Sequence, residues 1–455
     1  MGALIADEVG YGRLMIFAFL MHLLSAALQL GTGEIYATFG REATYWSLYI
    51  AMFMFAIGNG TCEVVVNPLV ATLYPNEKTH YLNILHAGWP GGLVAGGLVS
   101  YFMNGGTIGD FQPFPNKVPW IIQMSMFLVP VFVYGIMMLG QHFPKSEASQ
   151  AGISYGTMLL EFLSPILLLL LLIHALVGYV ELGTDSWISK ITGSIMEDPR
   201  KGLLLFVYTS GLMFALRFFA GPIVHAISPL GLLCISGIFG AVGLTLLSSA
   251  VGIMMCVIAA TVYAIGKTFL WPTMLAVVSD RFPKGGAITI GAVGGVGMLS
   301  AGILGGPGIG FKQDYFATTE LKQKAPSTYE RYASPNENTF LGVFKVKGLD
   351  GAKVGVLEDD GQDLSRAVEL ATKVGTKDKA VEEQAKLATW WASAKEYAAA
   401  DKEPITEASL YGGRMALKWT AAVPAAMAVL YLILLAYFKM IGGYKRVEIP
   451  TDSTH

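Results

Sequence analysis

Ten runs of about 20 mostly apolar residues recur along the chain, and they limit its fold more than any other feature. An apolar helix of about 20 residues crosses the hydrocarbon core of a bilayer, because it satisfies its backbone polar groups internally. Only 14% of the residues are charged, against about 25% in soluble domains. The sequence therefore predicts an all-α polytopic membrane protein rather than a soluble enzyme. The predicted spans are 14–33, 45–73, 82–103, 118–140, 157–181, 202–220, 228–248, 250–275, 286–306 and 413–438.

The charged residues are concentrated in one segment. Residues 312–407 hold 14 of the 31 Lys+Arg and 17 of the 33 Asp+Glu. This concentration predicts one extramembrane insert, at about 307–412, between the last two spans. Within it, residues 340–358 predict a β-hairpin around Gly348–Gly351, and residues 363–400 predict one or two amphipathic helices.

An even number of spans places both termini on one side of the membrane. The short loops on that side carry nine Lys and Arg residues, against five in the opposite short loops. This bias predicts cytoplasmic termini and an extracytoplasmic insert in the inner or plasma membrane. The predicted parts are an incomplete first bundle of four spans (1–145), five spans of a second bundle (146–306), the insert (307–412), and the last span with its tail (413–455).

A weak internal repeat supports two bundles. AIGNGTCEVVVNP (56–68) and AIGKTFLWP (264–272) each end in proline and precede a polar turn and a glycine-rich helix. Repeats of this kind are typical of secondary transporters. The spacing of Gly92 with Gly96, and of Gly291 with Gly295, predicts faces where helix backbones approach closely.

Glu63 is the clearest candidate for a functional group, because ionisable side chains inside a span are costly and mark ligand or ion pathways. Asn59 and Asn67 lie four residues to either side, on the same helical face. A carboxyl group there can exchange a proton or accept a hydrogen bond from a hydroxyl-rich solute. The alternative is a structural pairing with a neighbouring helix.

Two further groups of polar and aromatic residues lie near predicted membrane depth. Asn83, His86 and Trp89 are spaced by three on the next span, where they line a cavity or pack between helices. Lys267 and Trp271 share a face of the eighth span, and Lys267 either pairs with Glu63, binds an anionic group or extends to the interface.

Glu181 and Arg217 are assigned to the ends of spans. Glu181 ends the fifth span, in ELGTDSW, as a gate or solute contact or beside interfacial aromatic residues. Arg217, in RFFAGPIVHAISP, is predicted at a cytoplasmic turn with a conformational role.

Other classes of site are not indicated. The three cysteines lie inside apolar runs without metal-binding spacing, and the net charge of −2 leaves no basic footprint for nucleic acid. We expect no metal, no cofactor and no enzyme activity, since no nucleophile, paired acid and base or phosphate loop is visible.

The segment GNGTCEVVVNPLVATLYPNEKTHYLNILHAGWPGG resembles the fourth and fifth helices of the fucose–glucose–galactose–proton symporters, a branch of the major facilitator superfamily. The resemblance implies a two-bundle fold and assigns Glu63 to sugar binding or proton coupling. RFFAGPIVHAISP resembles the loop after the eighth helix, and ALIADEVGYGR resembles the loop between the second and third. The second likeness implies that Asp7, Gly10 and Arg13 are conformational residues, and that the first two helices of the fold are missing here.

These observations predict a secondary active transporter that moves a small polar solute, a sugar by resemblance, by alternating access with proton coupling. Two alternatives remain open. One is a carrier for a nucleoside or organic anion, and the other is a non-transporting receptor, scaffold or truncated fragment.

Overall fold

The computed structural model describes residue 6, residues 8–374 and residues 379–449. Asp7, one of the predicted conformational residues, lies outside the described residues. Almost all regular structure is helical, so the predicted all-α fold is confirmed. The helices are α1 (Tyr11–Leu30), α2 (Thr32–Leu73), α3 (Lys78–Met103), α4 (Trp120–Ser125), α5 (Leu128–Met137), α6 (Glu147–Gln150), α7 (Tyr155–Leu160), α8 (Pro165–Gly178), α9 (Thr184–Ile195), α10 (Pro199–Arg217), α11 (Ala220–Ile227), α12 (Pro229–Ser248), α13 (Gly252–Lys267), α14 (Leu270–Arg281), α15 (Gly286–Ser300), α16 (Gly306–Lys324), α17 (Pro326–Tyr332), α18 (Gly351–Glu358), α19 (Gln362–Val374), α20 (Lys379–Ala394), α21 (Ala398–Thr420) and α22 (Ala422–Met440).

Each predicted span corresponds to a helix or to helices that continue one another. In the described part of the chain, eight are long and apolar enough to cross a membrane, or nine if α10 and α11, bent by 64°, count as one. The remaining helix, α3, is 26 residues long, but its histidines, glycines and Pro90 lower its mean hydropathy. These helices account for the ten predicted spans.

The fifth span does not end at Glu181. Helix α8 continues through a π-helical turn, Tyr179–Gly183, directly into α9, so Glu181 lies inside a 31-residue helix. The polar sequence ELGTDSW suggests a helix end, but several of its side chains face other helices rather than water. The predicted position of Glu181 at the outer end is therefore wrong.

We call residues 1–145 the first half, and residues 146–306 together with α22 the second half. The two halves meet mainly along three helix pairs. Helix α3 packs on α10 and α14, and α2 packs on α15. Within the first half, α1 packs along α2, and within the second, α12 packs on α13 and α22. The largest cluster of buried apolar side chains lies mainly in the second half. This arrangement leaves polar residues of α2, α3, α10 and α14 near a shared interface.

Close glycine contacts occur at other positions than the predicted ones. A Cβ atom at Gly92, Gly96 or Gly295 would meet no atom within 4 Å, so the predicted close approach at these positions is wrong. Instead, Gly178 of α8 lies against Gly297 of α15, where an added Cβ atom would lie 2.0 Å from the Gly297 carbonyl oxygen. The missing side chain lets the two backbones touch.

We expect Gly178→Ala to destabilise the protein by about 3 kcal/mol, because the methyl group would overlap a backbone atom that cannot rotate away. Thermal unfolding in detergent measures this effect. Gly295→Ala, on the partner helix, is the matched control, because its methyl group would meet open space. Equal melting temperatures for the two variants would contradict the close contact.

Two long helices carry the insert. Helices α16 and α21 pack along each other and continue the spans on either side of the insert. Beyond them, Trp391, Leu357 and Tyr332 belong to a separate buried apolar cluster, and Trp390 contacts the Tyr332 ring at 5.2 Å between centroids. Asp401 of α21 accepts hydrogen bonds from Thr328 and Arg331.

The hairpin of the insert is displaced from its predicted turn. Strands β1 (Asn338–Phe340) and β2 (Phe344–Val346) pair antiparallel, and the turn lies at Leu341–Val343. Leu341 and Gly342 have positive φ there. The predicted turn at Gly348–Gly351 is wrong, because the Asp350 side chain instead accepts hydrogen bonds from the backbone of Ala352 and Lys353 and begins α18.

Candidate functional site

A cavity lies where the two halves meet, and the space between its lining residues, including the part open to solvent, is about 320 Å³. Its depth follows from helix geometry: Glu63 is ten residues from the end of α2, and Trp89 is eleven residues from the start of α3. At 1.5 Å per residue both lie about 16 Å from those ends, near the middle of a bilayer. The lining residues are Glu63, His86, Trp89, Glu181, Leu182, Arg217, Trp271 and Met298.

The first half contributes a chain of hydrogen bonds that begins at Glu63. Asn67 Nδ2 donates to Glu63 Oε2 at 2.6 Å, and Asn67 Oδ1 lies 2.9 Å from His86 Nε2. Because the amide nitrogen donates to the carboxylate, the amide oxygen is the acceptor and His86 donates from Nε2. This chain of hydrogen bonds fixes the orientation of the Glu63 carboxylate, and Glu63 lines the cavity.

The second half contributes a buried ion pair between Arg217 and Glu181. Arg217 Nη2 lies 3.1 Å from Glu181 Oε1, and both side chains are at most 3% exposed. Arg217 Nε donates to the Thr268 carbonyl at 2.8 Å, and Nη1 donates to the His86 carbonyl. Arg217 therefore connects the two halves directly.

Arg217 lies next to a turn, as predicted, but its side chain is buried between the halves. Arg217 is the last residue of α10, which bends by 64° into α11, and its side chain is 1% exposed. Phe218 and Phe219 form the turn between the two helices.

Lys267 pairs with Asp185 rather than with Glu63. The Lys267 ammonium forms an ion pair with Asp185 Oδ1 and lies 5.5 Å above the Tyr263 ring. The predicted pairing of Lys267 with Glu63 is therefore wrong. Both residues of the actual pair belong to the second half. Asp185 was missed, although its position four residues after Glu181 places the two carboxylates on one helical face.

Four predicted residues lie outside the cavity lining: Asn67 and Lys267, whose partners are given above, and Asn59 and Asn83. Asn59 Oδ1 accepts a hydrogen bond from His22 Nε2 at 3.1 Å. Asn83 donates to the Thr79 carbonyl and to Thr273 Oγ1 at 3.2 Å, and so links α3 to α14. Both residues support helix packing around the cavity.

Gly10 and Arg13 lie at the start of α1. Gly10 has a φ of 89°, a backbone conformation that favours glycine, and it immediately precedes the first helical turn. Arg13 is exposed. Their predicted conformational role stays a prediction.

Several buried polar atoms around the cavity have no hydrogen-bond partner among the described residues. They include Glu181 Oε2 and both ring nitrogens of His174, and the His174 ring packs edge-on against Trp271 at 4.6 Å. An unpaired buried polar atom is costly. A donor group on a solute or on water that enters the cavity would satisfy Glu181 Oε2.

Polar contacts join the halves at the end of the bundle that carries the C-terminal tail. Lys78 Nζ lies 2.8 Å from Glu147 Oε2. Arg446 donates to the Pro75 carbonyl and to Asn76 Oδ1, the latter at 3.0 Å. We call Asn76, Lys78, Glu147 and Arg446 the terminal latch, because they tie the loop before α3 to the linker and the tail.

We expect Lys78→Gln to loosen the terminal latch, because it leaves Glu147 without its cation. A cysteine introduced at Thr72, which lies beside Glu147, should then react several-fold faster with a maleimide once the native cysteines are replaced. Lys145→Gln removes a neighbouring exposed lysine and is the matched control. A rate unaffected by Lys78→Gln would show that this ion pair does not hold the end closed.

Comparisons with known proteins agree with this architecture. Residues 1–306 match the family model described as Major Facilitator Superfamily. No curated protein sequence matches the chain. Among solved structures, the outward conformation of FucP, described as a Major Facilitator Superfamily transporter, is similar, with a TM-score of 0.54 and 17% identity over 69% of this chain and 79% of that chain. The likeness shows a shared fold. All the residues that line the cavity lie within residues 1–306, the range that matches the family model.

Proposed function

Because this chain belongs to the Major Facilitator Superfamily, a family of membrane transporters, we propose that it carries a small, uncharged, sugar-like solute by alternating access. The solute site is the cavity between the halves. The terminal latch closes the cavity on one side of the membrane. Opening of the latch, together with closure of the opposite side, would expose the cavity to each side in turn.

One observation carries the proposal: two carboxylates and two indole rings line the same cavity at mid-membrane depth. Glu63 Oε1 and Glu181 Oε2 are acceptors for solute hydroxyl groups, and Glu181 Oε2 has no other partner among the described residues. Trp89 and Trp271 offer flat apolar faces for the C–H face of a sugar ring. Donors on the solute and acceptors on the protein are therefore matched.

An organic anion fits this cavity poorly. Arg217 is the only lining residue with a permanent positive charge, and each of its three nitrogens already donates to Glu181 or to a backbone carbonyl. Displacing these bonds would leave buried carbonyls and a buried carboxylate unpaired. The arrangement favours an uncharged polyhydroxy solute over the organic anion.

Glu63 is the proposed site of proton coupling. Its carboxyl group lies on the cavity and belongs to the first half, while the ion pair of Glu181 with Arg217 is internally neutralised. A carboxyl group that faces each side in turn can carry one proton with the solute. The proposed orientation has cytoplasmic termini and the insert outside, as the loop charges indicate.

Solute binding can be tested by quenching of tryptophan fluorescence in the purified protein. We expect at least one neutral hexose to quench the tryptophan fluorescence of the wild type. The quenching by that hexose should be smaller in Trp89→Phe and in Trp271→Phe. Trp46→Phe, an exposed tryptophan away from the cavity, is the control and should retain the signal. Binding of a hexuronate with no binding of any neutral sugar would overturn the proposed solute class.

A further inference from the structure

A second cleft lies on the insert side of the membrane, where the hairpin meets α16 and α21. The space along its walls, including the part open to solvent, is about 810 Å³, and it is distinct from the mid-membrane cavity. Its walls are aromatic, and two lysines lie at its edge. The lining residues are Phe311, Lys312, Tyr315, Phe316, Phe344, Lys345 and Trp419.

The depth of this cleft follows from α22, the helix that continues from α21 across the membrane. Helix α22 has 19 residues and spans about 28 Å, close to the thickness of the hydrocarbon core. Trp419 lies just before it and therefore at the level of the lipid headgroups. Lys312 is at the same level, because its Nζ donates to Thr420 Oγ1 at 3.0 Å.

The aromatic surface of the cleft is exposed. Tyr315, Phe344 and Trp419 are 46%, 55% and 56% exposed, and the Trp419 ring is nearly parallel to Phe316 at 6.5 Å. Exposed aromatic rings at this depth are typical of contacts with lipid. Lys312 and Lys345 add positive charge to the same cleft.

We propose that this cleft binds an anionic phospholipid from the leaflet on the insert side. Lys312 and Lys345 pair with the phosphate, while the rings of Tyr315, Phe344 and Trp419 pack against the glycerol and the upper acyl chains. The occupant is a lipid rather than a soluble ligand because the cleft combines an apolar wall, opposite charge and headgroup depth. The bound lipid would fasten the hairpin to the membrane surface.

Brominated lipids test this proposal in the full-length protein, because bromine quenches nearby indole rings. The signal from Trp419 is the difference between the wild type and Trp419→Phe, measured in mixtures of phosphatidylcholine and phosphatidylglycerol. We expect brominated phosphatidylglycerol to quench Trp419 with an affinity about 30-fold above that of brominated phosphatidylcholine, because two lysines near the membrane surface each contribute about fivefold.

Lys345→Gln should reduce this preference to about fivefold, the share of Lys312, without disturbing the fold, since Lys345 is exposed. Lys322→Gln, an exposed lysine of the same helix as Lys312, should preserve it. Equal quenching by the two lipids, or a preference unchanged in Lys345→Gln, would overturn the proposal. Loss of quenching on addition of inorganic phosphate or a neutral hexose would also overturn it, since the cleft would then hold a soluble ligand.

Discussion

Replacing Glu181 with alanine is expected to destabilise the protein by about 3–5 kcal/mol, because it leaves the Arg217 guanidinium buried without its counter-ion. Arg217 is 1% exposed and lies between the two halves, so the unpaired charge cannot reach water without separating them. We therefore expect a lower melting temperature in detergent and loss of solute transport.

A double variant separates stability from function. Glu181→Leu combined with Arg217→Met removes both charges at similar volume and should recover part of the lost stability, because the carbonyls of His86 and Thr268 lose their donor. Transport should stay absent, since the acceptor Glu181 Oε2 is gone. Glu383→Ala is the matched control, because its pair with Arg41 is 3.8 Å long and exposed, and it should change stability by at most about 1 kcal/mol. Similar effects of Glu181→Ala and Glu383→Ala would contradict the buried pair.

Glu63→Gln is expected to abolish solute accumulation driven by a proton gradient while preserving solute exchange without a gradient. A glutamine carbonyl still accepts a hydrogen bond from a hydroxyl group, but the amide cannot carry the proton. Accumulation by vesicles with an imposed pH gradient should fall to the level of vesicles without protein.

Glu34→Gln makes the same chemical change at an exposed position of α2 and should accumulate solute normally. Normal gradient-driven accumulation by Glu63→Gln would remove Glu63 from the coupling step. Loss of exchange as well as accumulation would assign Glu63 to solute binding alone.

The sequence indicates which residues are unusual, and the structure adds how they meet. Glu63, His86, Trp89 and Trp271 can be selected because polar or aromatic residues interrupt apolar runs, and all four line the cavity. The family and the helical fold are also predictable, since apolar runs of spanning length and one distinctive segment carry them.

Pairings between helices are beyond such reasoning. The partner of Lys267 is Asp185 and that of Arg217 is Glu181, and both depend on where helices distant in sequence cross. Arg217 precedes a turn, as its sequence context indicates, but that context does not show that its side chain is buried between the halves. Glu181 resembled a helix end because a π-helical turn carries polar residues through the middle of a span.

The most direct test of the account is counterflow in proteoliposomes. Vesicles are preloaded with an unlabelled neutral hexose, and entry of the same labelled sugar is measured across a panel that includes one hexuronate. The account predicts saturable exchange of at least one neutral sugar by the wild type and by Glu63→Gln, with no exchange by Glu181→Leu/Arg217→Met. Exchange of the hexuronate alone, or exchange of a neutral sugar that survives in the double variant, would contradict it.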